Sequence, residues 1–184
     1  MPLRPGDVLW LQVSVGLYVP VALGSAAWVT WWYGWTELQQ RIVGDSLATG
    51  MAVGVVLGLA LVAGTRVASA LQLLGELEST LRAHMGPLRP HTCVVLALTS
   101  SVGEELLFRG VLQPSVGWLA ATLLFAVAHA PVDRGLSRWP LFALAAGGLF
   151  GGATLLTGGI VAPVVAHFIV NALNLMWLAR TEEE

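Results

Sequence analysis

The chain has 184 residues, of which 56% are hydrophobic and 11% charged, far more apolar surface than a soluble domain of that length has to bury. Its net charge is −2, and its nine basic residues, all Arg, are scattered along the chain. That excludes a basic face for nucleic acid or a polybasic lipid patch. The single cysteine, Cys93, excludes an internal disulfide and a thiolate metal site, and reads as a small core residue.

In chain order, apolar segments separated by polar breaks predict six membrane crossings, at 8–32, 47–64, 92–112, 117–130, 139–156 and 160–179. The first is too long for the apolar core of a signal peptide and runs into the aromatic cluster WVTWWYGW at 28–35, so it is expected to stay as a helix. Between the second and third, Val67, Ala70, Leu71, Leu74, Leu77, Leu81 and Met85 recur at helical spacing, which predicts an interfacial amphipathic helix. Pro87 and Pro90 punctuate the chain after it, and His84 and His91 beside them are left to solvent. The fold class is thus all-α: a polytopic membrane helical bundle of about six transmembrane helices plus one interfacial helix, with 1–184 forming a single integral-membrane domain.

Trp10, Trp118, Trp139 and Trp177 fall near span ends, where indoles favour the headgroup level. Arg4, Arg66, Arg82, Arg89, Arg134, Arg138 and Arg180 lie on one side of six spans and Arg41 on the other, which predicts cytoplasmic termini. The Gly50, Gly54, Gly58 series and GGLFGGATLLTGG at 147–159 predict close helix packing, with a re-entrant break as the alternative.

The third span contains Glu104, Glu105 and Arg109. Each charge near the middle of a membrane helix costs about 2.5–3.5 kcal/mol on insertion scales, so a compensating use is expected. Glu105 and Arg109, four residues apart, can pair directly, whereas Glu104 points about 100° away and needs a partner from another helix. His129 precedes Pro131, which should end or kink its helix. His167 and Asn171 share one face of the last span. A single water-filled pocket joining these groups would account for all of them; Asn174 could line the same cavity or bond between helices.

These residues also make up three motifs: EExxxR as EELLFR at 104–109, FxxxH as FAVAH at 125–129 and HxxxN as HFIVN at 167–171. In this combination and order the sequence resembles the CAAX protease and bacteriocin-processing (CPBP, or Abi) intramembrane proteases, over about 91–175. The resemblance implies that Glu104 acts as general base on a water held by His129, and that His167 and Asn171 donate to the oxyanion. It further implies that Glu105 and Arg109 brace the site and that Phe125 packs and orients. The reaction it implies is hydrolysis of a peptide bond near the membrane anchor or C terminus of a partner protein, without a cofactor. Two His and two Glu could also bind zinc, although the HExxH spacing is absent. The Arg-only composition points to a bacterial inner membrane, and a small sorting-type, myxosortase-like member fits. The alternatives are a non-catalytic peptide-binding or bacteriocin-immunity protein, and a haem protein ligated by His129 and His167.

Overall fold

The computed structural model describes residues 5–130 and 134–180, and among these every regular element is helical. Arg4 and the expected break at Pro131 lie outside the described residues. The elements are α1 (Pro5–Val13), α2 (Val19–Tyr33), α3 (Trp35–Val43), α4 (Leu47–Ala70), α5 (Gly75–Met85), α6 (Pro90–Glu105), α7 (Gln113–Val116), α8 (Trp118–Ala128), α9 (Trp139–Thr157) and α10 (Val161–Arg180). Four helical stretches are long and apolar enough to cross a membrane: Gly6–Tyr33, Leu47–Ala70, Trp139–Thr157 and Val161–Ala179. The molecule is a helical membrane bundle.

The remaining expected crossings take a different form. The third is a continuous helical rod from Pro90 to Val116 that carries three charges. The fourth, expected at 117–130, is the 11-residue α8, about 16 Å at 1.5 Å per residue and too short for a hydrocarbon core of about 30 Å. Gly117, with φ +87°, turns the chain back on the rod, so α8 runs antiparallel to it and ends halfway along. That places His129, twelve positions after the turn, at the level of the paired glutamates, where it faces Glu104, thirteen before the turn.

Two π-helical stretches interrupt the long helices, Ser14–Tyr18 between α1 and α2 and Leu106–Leu112 between α6 and α7. Each lies just before a proline, Pro20 or Pro114, which lacks the N–H that the carbonyl four residues earlier would accept. For Pro114 that carbonyl belongs to Gly110, and Arg41 Nη1 on α3 donates to it at 2.8 Å.

Gly50, Gly54 and Gly58 are buried where α4 meets α10. A Cβ on Gly54 would stand 2.6 Å from the Ala162 carbonyl oxygen and 2.7 Å from Val165 Cβ. The small-residue stripe is therefore a packing face. The glycines at 147–152 lie within the unbroken α9, while Gly158, at φ +70°, ends that helix. The expected interfacial helix is divided by the turn around Gln72, whose φ is +58°, so only Gly75–Met85 forms α5. Asp7, fully buried, ties α1 to the start of α6: its Oδ1 accepts from the Arg89 backbone N–H at 2.9 Å, and its Oδ2 is 3.6 Å from Arg89 Nε. Cys93 is buried, as expected of a core residue.

Candidate active site

The two adjacent glutamates sit at the end of α6 and diverge as successive residues on a helix must. Glu105 is fully buried against α9 and α10. Its carboxylate lies 3.2 Å from Arg109 Nη1 and its Oε1 lies 2.8 Å from His167 Nδ1. Arg109 is itself 2% exposed. Its Nη2 donates to the Gly147 carbonyl at 2.9 Å, and its guanidinium lies 4.4 Å from the centre of the Phe125 ring. A Cβ on Gly147 would come within 2.9 Å of Phe125 and 3.3 Å of Arg109 Nη2, so only glycine leaves room for this contact. The expected pairing of Glu105 with Arg109 is present, and its burial is offset by bonds to two further helices.

Glu104 turns the other way. Its Oε2 is 3.6 Å from His129 Nε2, and this oxygen is buried with no hydrogen-bond partner among the described residues. His129 caps the short α8, and its Nδ1 lies 2.8 Å from the Phe125 carbonyl. A carbonyl oxygen can only accept, so Nδ1 carries a proton, and in the neutral form of the ring Nε2 then presents a lone pair to the carboxylate. Two acceptors facing one another across 3.6 Å are a natural seat for a group that donates to both, such as water. Tyr18, at the end of the first π stretch, lies against the residue before Glu104: a Cβ on Gly103 would stand 2.8 Å from the Tyr18 carbonyl oxygen and 3.4 Å from Tyr18 Cβ.

On α10, Asn171 Nδ2 donates to Ser100 Oγ at 3.1 Å. Ser100 is one helical turn before Glu104, so α6 and α10 run antiparallel with Ser100 opposite Asn171 and Glu105 opposite His167. Phe150 stacks on His167 with ring centres 5.1 Å apart. The Phe125 ring lies between the two imidazoles, 4.4 Å from that of His129 and 6.2 Å from that of His167, a packing and orienting position. Asn174 accepts a hydrogen bond from Thr65 on α4 at 3.2 Å. With Asn171, Thr65, Trp139 and Phe142 it also lines a cavity of about 90 Å³ that reaches the cluster from the side of α5.

All six polar residues singled out in the sequence, Glu104, Glu105, Arg109, His129, His167 and Asn171, thus meet in one cluster. They form two linked pairs, Glu104 with His129 and Glu105 with His167. Among the described residues no three His, Cys, Asp or Glu side chains group as a metal site would require. Four contributors were not singled out in the sequence: Tyr18, Ser100, Gly147 and Phe150. Ser100 alone carried a signal, its spacing of four from Glu104.

Comparison with known proteins falls on the same segment. Residues 87–173 match the family model described as type II CAAX prenyl endopeptidase Rce1-like. Over 86 residues the chain is 42% identical to a Bacillus subtilis protein described as "Uncharacterized protein YpbD". That match covers 46% of this chain and 43% of the relative, so less than half of the curated relative is represented. No solved structure matches the chain.

Proposed function

We propose that this chain, whose residues 87–173 match the Rce1-like family model, is an intramembrane endopeptidase whose nucleophile is a water activated by Glu104 and His129. The observation that carries this reading is the buried, unpartnered Glu104 Oε2 facing His129 Nε2 at 3.6 Å, with Nδ1 already committed to a backbone carbonyl. Glu105 is the poorer base: it is fully buried and engaged by both Arg109 and His167.

In the proposed reaction the water oxygen attacks the scissile carbonyl carbon while Glu104 takes one of its protons. The negative charge that develops on the carbonyl oxygen is met by Asn171 Nδ2 and by His167. His167 Nδ1 is held by Glu105, so Nε2 is the ring nitrogen left to face the substrate, and it donates when it carries a proton. As the C–N bond breaks, the proton on Glu104 passes to the leaving nitrogen, giving a free amine and a new carboxylic acid, which keeps the water's second proton until it ionises. Each atom of the water is accounted for, and no metal is needed in these steps.

The substrate proposed is a membrane-anchored protein or peptide cut near its anchor or C terminus. The site lies among apolar helices, and the approach to Asn171 is lined by Trp139 and Phe142 beside Thr65 and Asn174. A bacterial inner membrane with both termini cytoplasmic is proposed from the arginine distribution. Incubating a tagged candidate substrate with wild type, Glu104→Ala and His129→Ala tests the reading, and a substrate trapped by the inactive variants would be identified by mass spectrometry. Loss of cleavage in both variants is expected. Unchanged cleavage in both would sink the mechanism, and a full biological rescue by Glu104→Gln would favour the peptide-binding alternative.

A further inference from the structure

A peptide must be unwound around the bond that is cut, and inside a bundle of apolar helices every carbonyl freed by unwinding is costly unless a donor meets it. Asn171 and His167 are assigned to the carbonyl that reacts; its neighbours along the chain need donors of their own. The cavity of about 90 Å³ beside Asn171 carries amides and hydroxyls from three residues, Thr65, Asn171 and Asn174. Trp139 on its wall stacks on His129 with ring centres 6.2 Å apart, so that wall borders the imidazole proposed to hold the water. Thr65 and Asn174 meet because α4 and α10 run parallel in one register. Gly54 lies against Ala162 and Val165, Gly58 lies against Ala166 and Ile169, and further along Thr65 Oγ1 is 3.2 Å from Asn174 Oδ1. The same hydroxyl is 2.8 Å from the Val62 carbonyl, so its proton is shared and its rotamer fixed. The acceptor end of Asn174 is thus held, and among the described residues no acceptor meets its Nδ2.

We propose that Asn174 is a substrate-binding residue: its Nδ2 donates to a main-chain carbonyl of an extended peptide, two residues from the scissile one, while Thr65 holds the amide in place. This rests on the reading of Asn171 as a donor to the oxyanion and deepens it, because it gives the bound chain a second point of attachment. The spacing supports it. Asn171 and Asn174 are three residues apart on α10, so their side chains adjoin, with about 5–6 Å between Cβ atoms. In an extended chain the carbonyls that point the same way recur every second residue, about 6.4–6.8 Å apart. Two neighbouring amides therefore match two such carbonyls on one edge of the peptide, and contacts of this kind hold the main chain whatever its side chains. Arg66, on the same walls, is turned to the Leu173 carbonyl at 3.1 Å and to the Trp177 ring, 4.4 Å from its centre. Serving only to join α4 to α10, the Thr65–Asn174 pair would leave Nδ2 unused.

The probe is a fluorescein-labelled peptide copied from the membrane-proximal segment of the substrate that Glu104→Ala traps. Its binding is followed by anisotropy on Glu104→Gln protein in lipid nanodiscs, where cleavage does not consume it. Adding Asn174→Ala should raise Kd about threefold to tenfold, the range for one hydrogen bond between neutral groups. Thr65→Val keeps the shape of the side chain and removes the hydroxyl; it should raise Kd about threefold, and Thr65→Ser should restore it. Replacing one peptide bond of the probe by an ester weakens its carbonyl as an acceptor. In a scan of such esters, one position should cost about threefold with Asn174 in place and less than about twofold with Asn174→Ala.

A Kd for Asn174→Ala within about twofold of its parent overturns the inference. So does a Thr65→Val variant whose thermal midpoint falls while Kd stays intact, the mark of a bond that only joins two helices. Ester costs that are the same with and without Asn174 at every position overturn it as well. The hydrolytic mechanism is judged separately: cleavage by Glu104→Gln at the wild-type rate removes it, and the cycle between Asn174 and the ester still decides whether this amide holds the peptide.

Discussion

Removing both partners of the buried Glu105–Arg109 pair should destabilise the protein about as much as removing one. In wild type the Arg109 guanidinium lies 3.2 Å from the Glu105 carboxylate and bonds the Gly147 carbonyl at 2.9 Å, with the two side chains 1% and 0% exposed. Arg109→Met leaves a buried carboxylate with His167 as its remaining polar partner. Glu105→Gln leaves a buried guanidinium without a counter-charge. Each single change should cost about 3–5 kcal/mol, or about 6–20 °C in thermal midpoint for a chain of this size. The double variant leaves no uncompensated charge, and an amide at 105 can still accept from His167 Nδ1. Its cost should be about that of one single change, giving a coupling of about 3 kcal/mol. The eight tryptophans provide the signal for unfolding in detergent micelles. Cleavage by the double variant should nonetheless stay about tenfold or more below wild type, since His167 has lost the charge that steadies its donor form. Additivity of the two single changes within about 0.5 kcal/mol would refute the reasoning.

Glycine substitutions along α4 should have opposite effects at positions ten residues apart. Gly54→Ala forces a Cβ to 2.6 Å from the Ala162 carbonyl oxygen and should lower stability by about 1–3 kcal/mol, whereas Gly64→Ala meets nothing within 4 Å and should raise it by about 0.5–1 kcal/mol. Thermal midpoints of the two variants check this, and a destabilised Gly64→Ala would count against the packing account. Ser100→Ala should lower kcat about tenfold with a loss of stability of about 1 kcal/mol, because Asn171 loses its acceptor, while Ser100→Thr keeps the hydroxyl and should restore most of the rate. Steady-state cleavage by both variants is the measurement.

The polar members of the site were legible in the sequence because the membrane makes them conspicuous: a carboxylate or imidazole in an apolar run requires a compensating partner. Their convergence was legible too. The Glu105–Arg109 pair follows from a spacing of four, and His129 reaches the level of the glutamates because Gly117 folds α8 back on α6 and the π stretch that follows it. The expected full crossing at 117–130 hid that relation, since it extended α8 to membrane length. Its end at Ala128 is what leaves His129 facing Glu104. The contacts of Gly147 and Tyr18 were not legible, and Ser100 offered only its spacing from Glu104. Each depends on how closely two helices approach and in which register, and serine, glycine and tyrosine in an apolar helix are ordinary enough to need no partner.

The same reasoning changes the meaning of Arg41, which as a charge count is the exception to an otherwise one-sided distribution of arginines. Pro114 deprives the Gly110 carbonyl of its helical donor inside a membrane bundle, where no bulk water can replace it and an orphaned group costs several kcal/mol. Arg41 supplies that donor from α3 at 2.8 Å, while its Nε is held by Glu37 at 2.8 Å and its guanidinium lies 4.5 Å from the centre of the Tyr33 ring. A side chain fixed at three points in this way is a structural part of the π stretch that carries Arg109. Its place in the sequence follows from the proline four residues beyond Gly110, and it contributes to the geometry of the site by holding the rod five residues beyond Glu105.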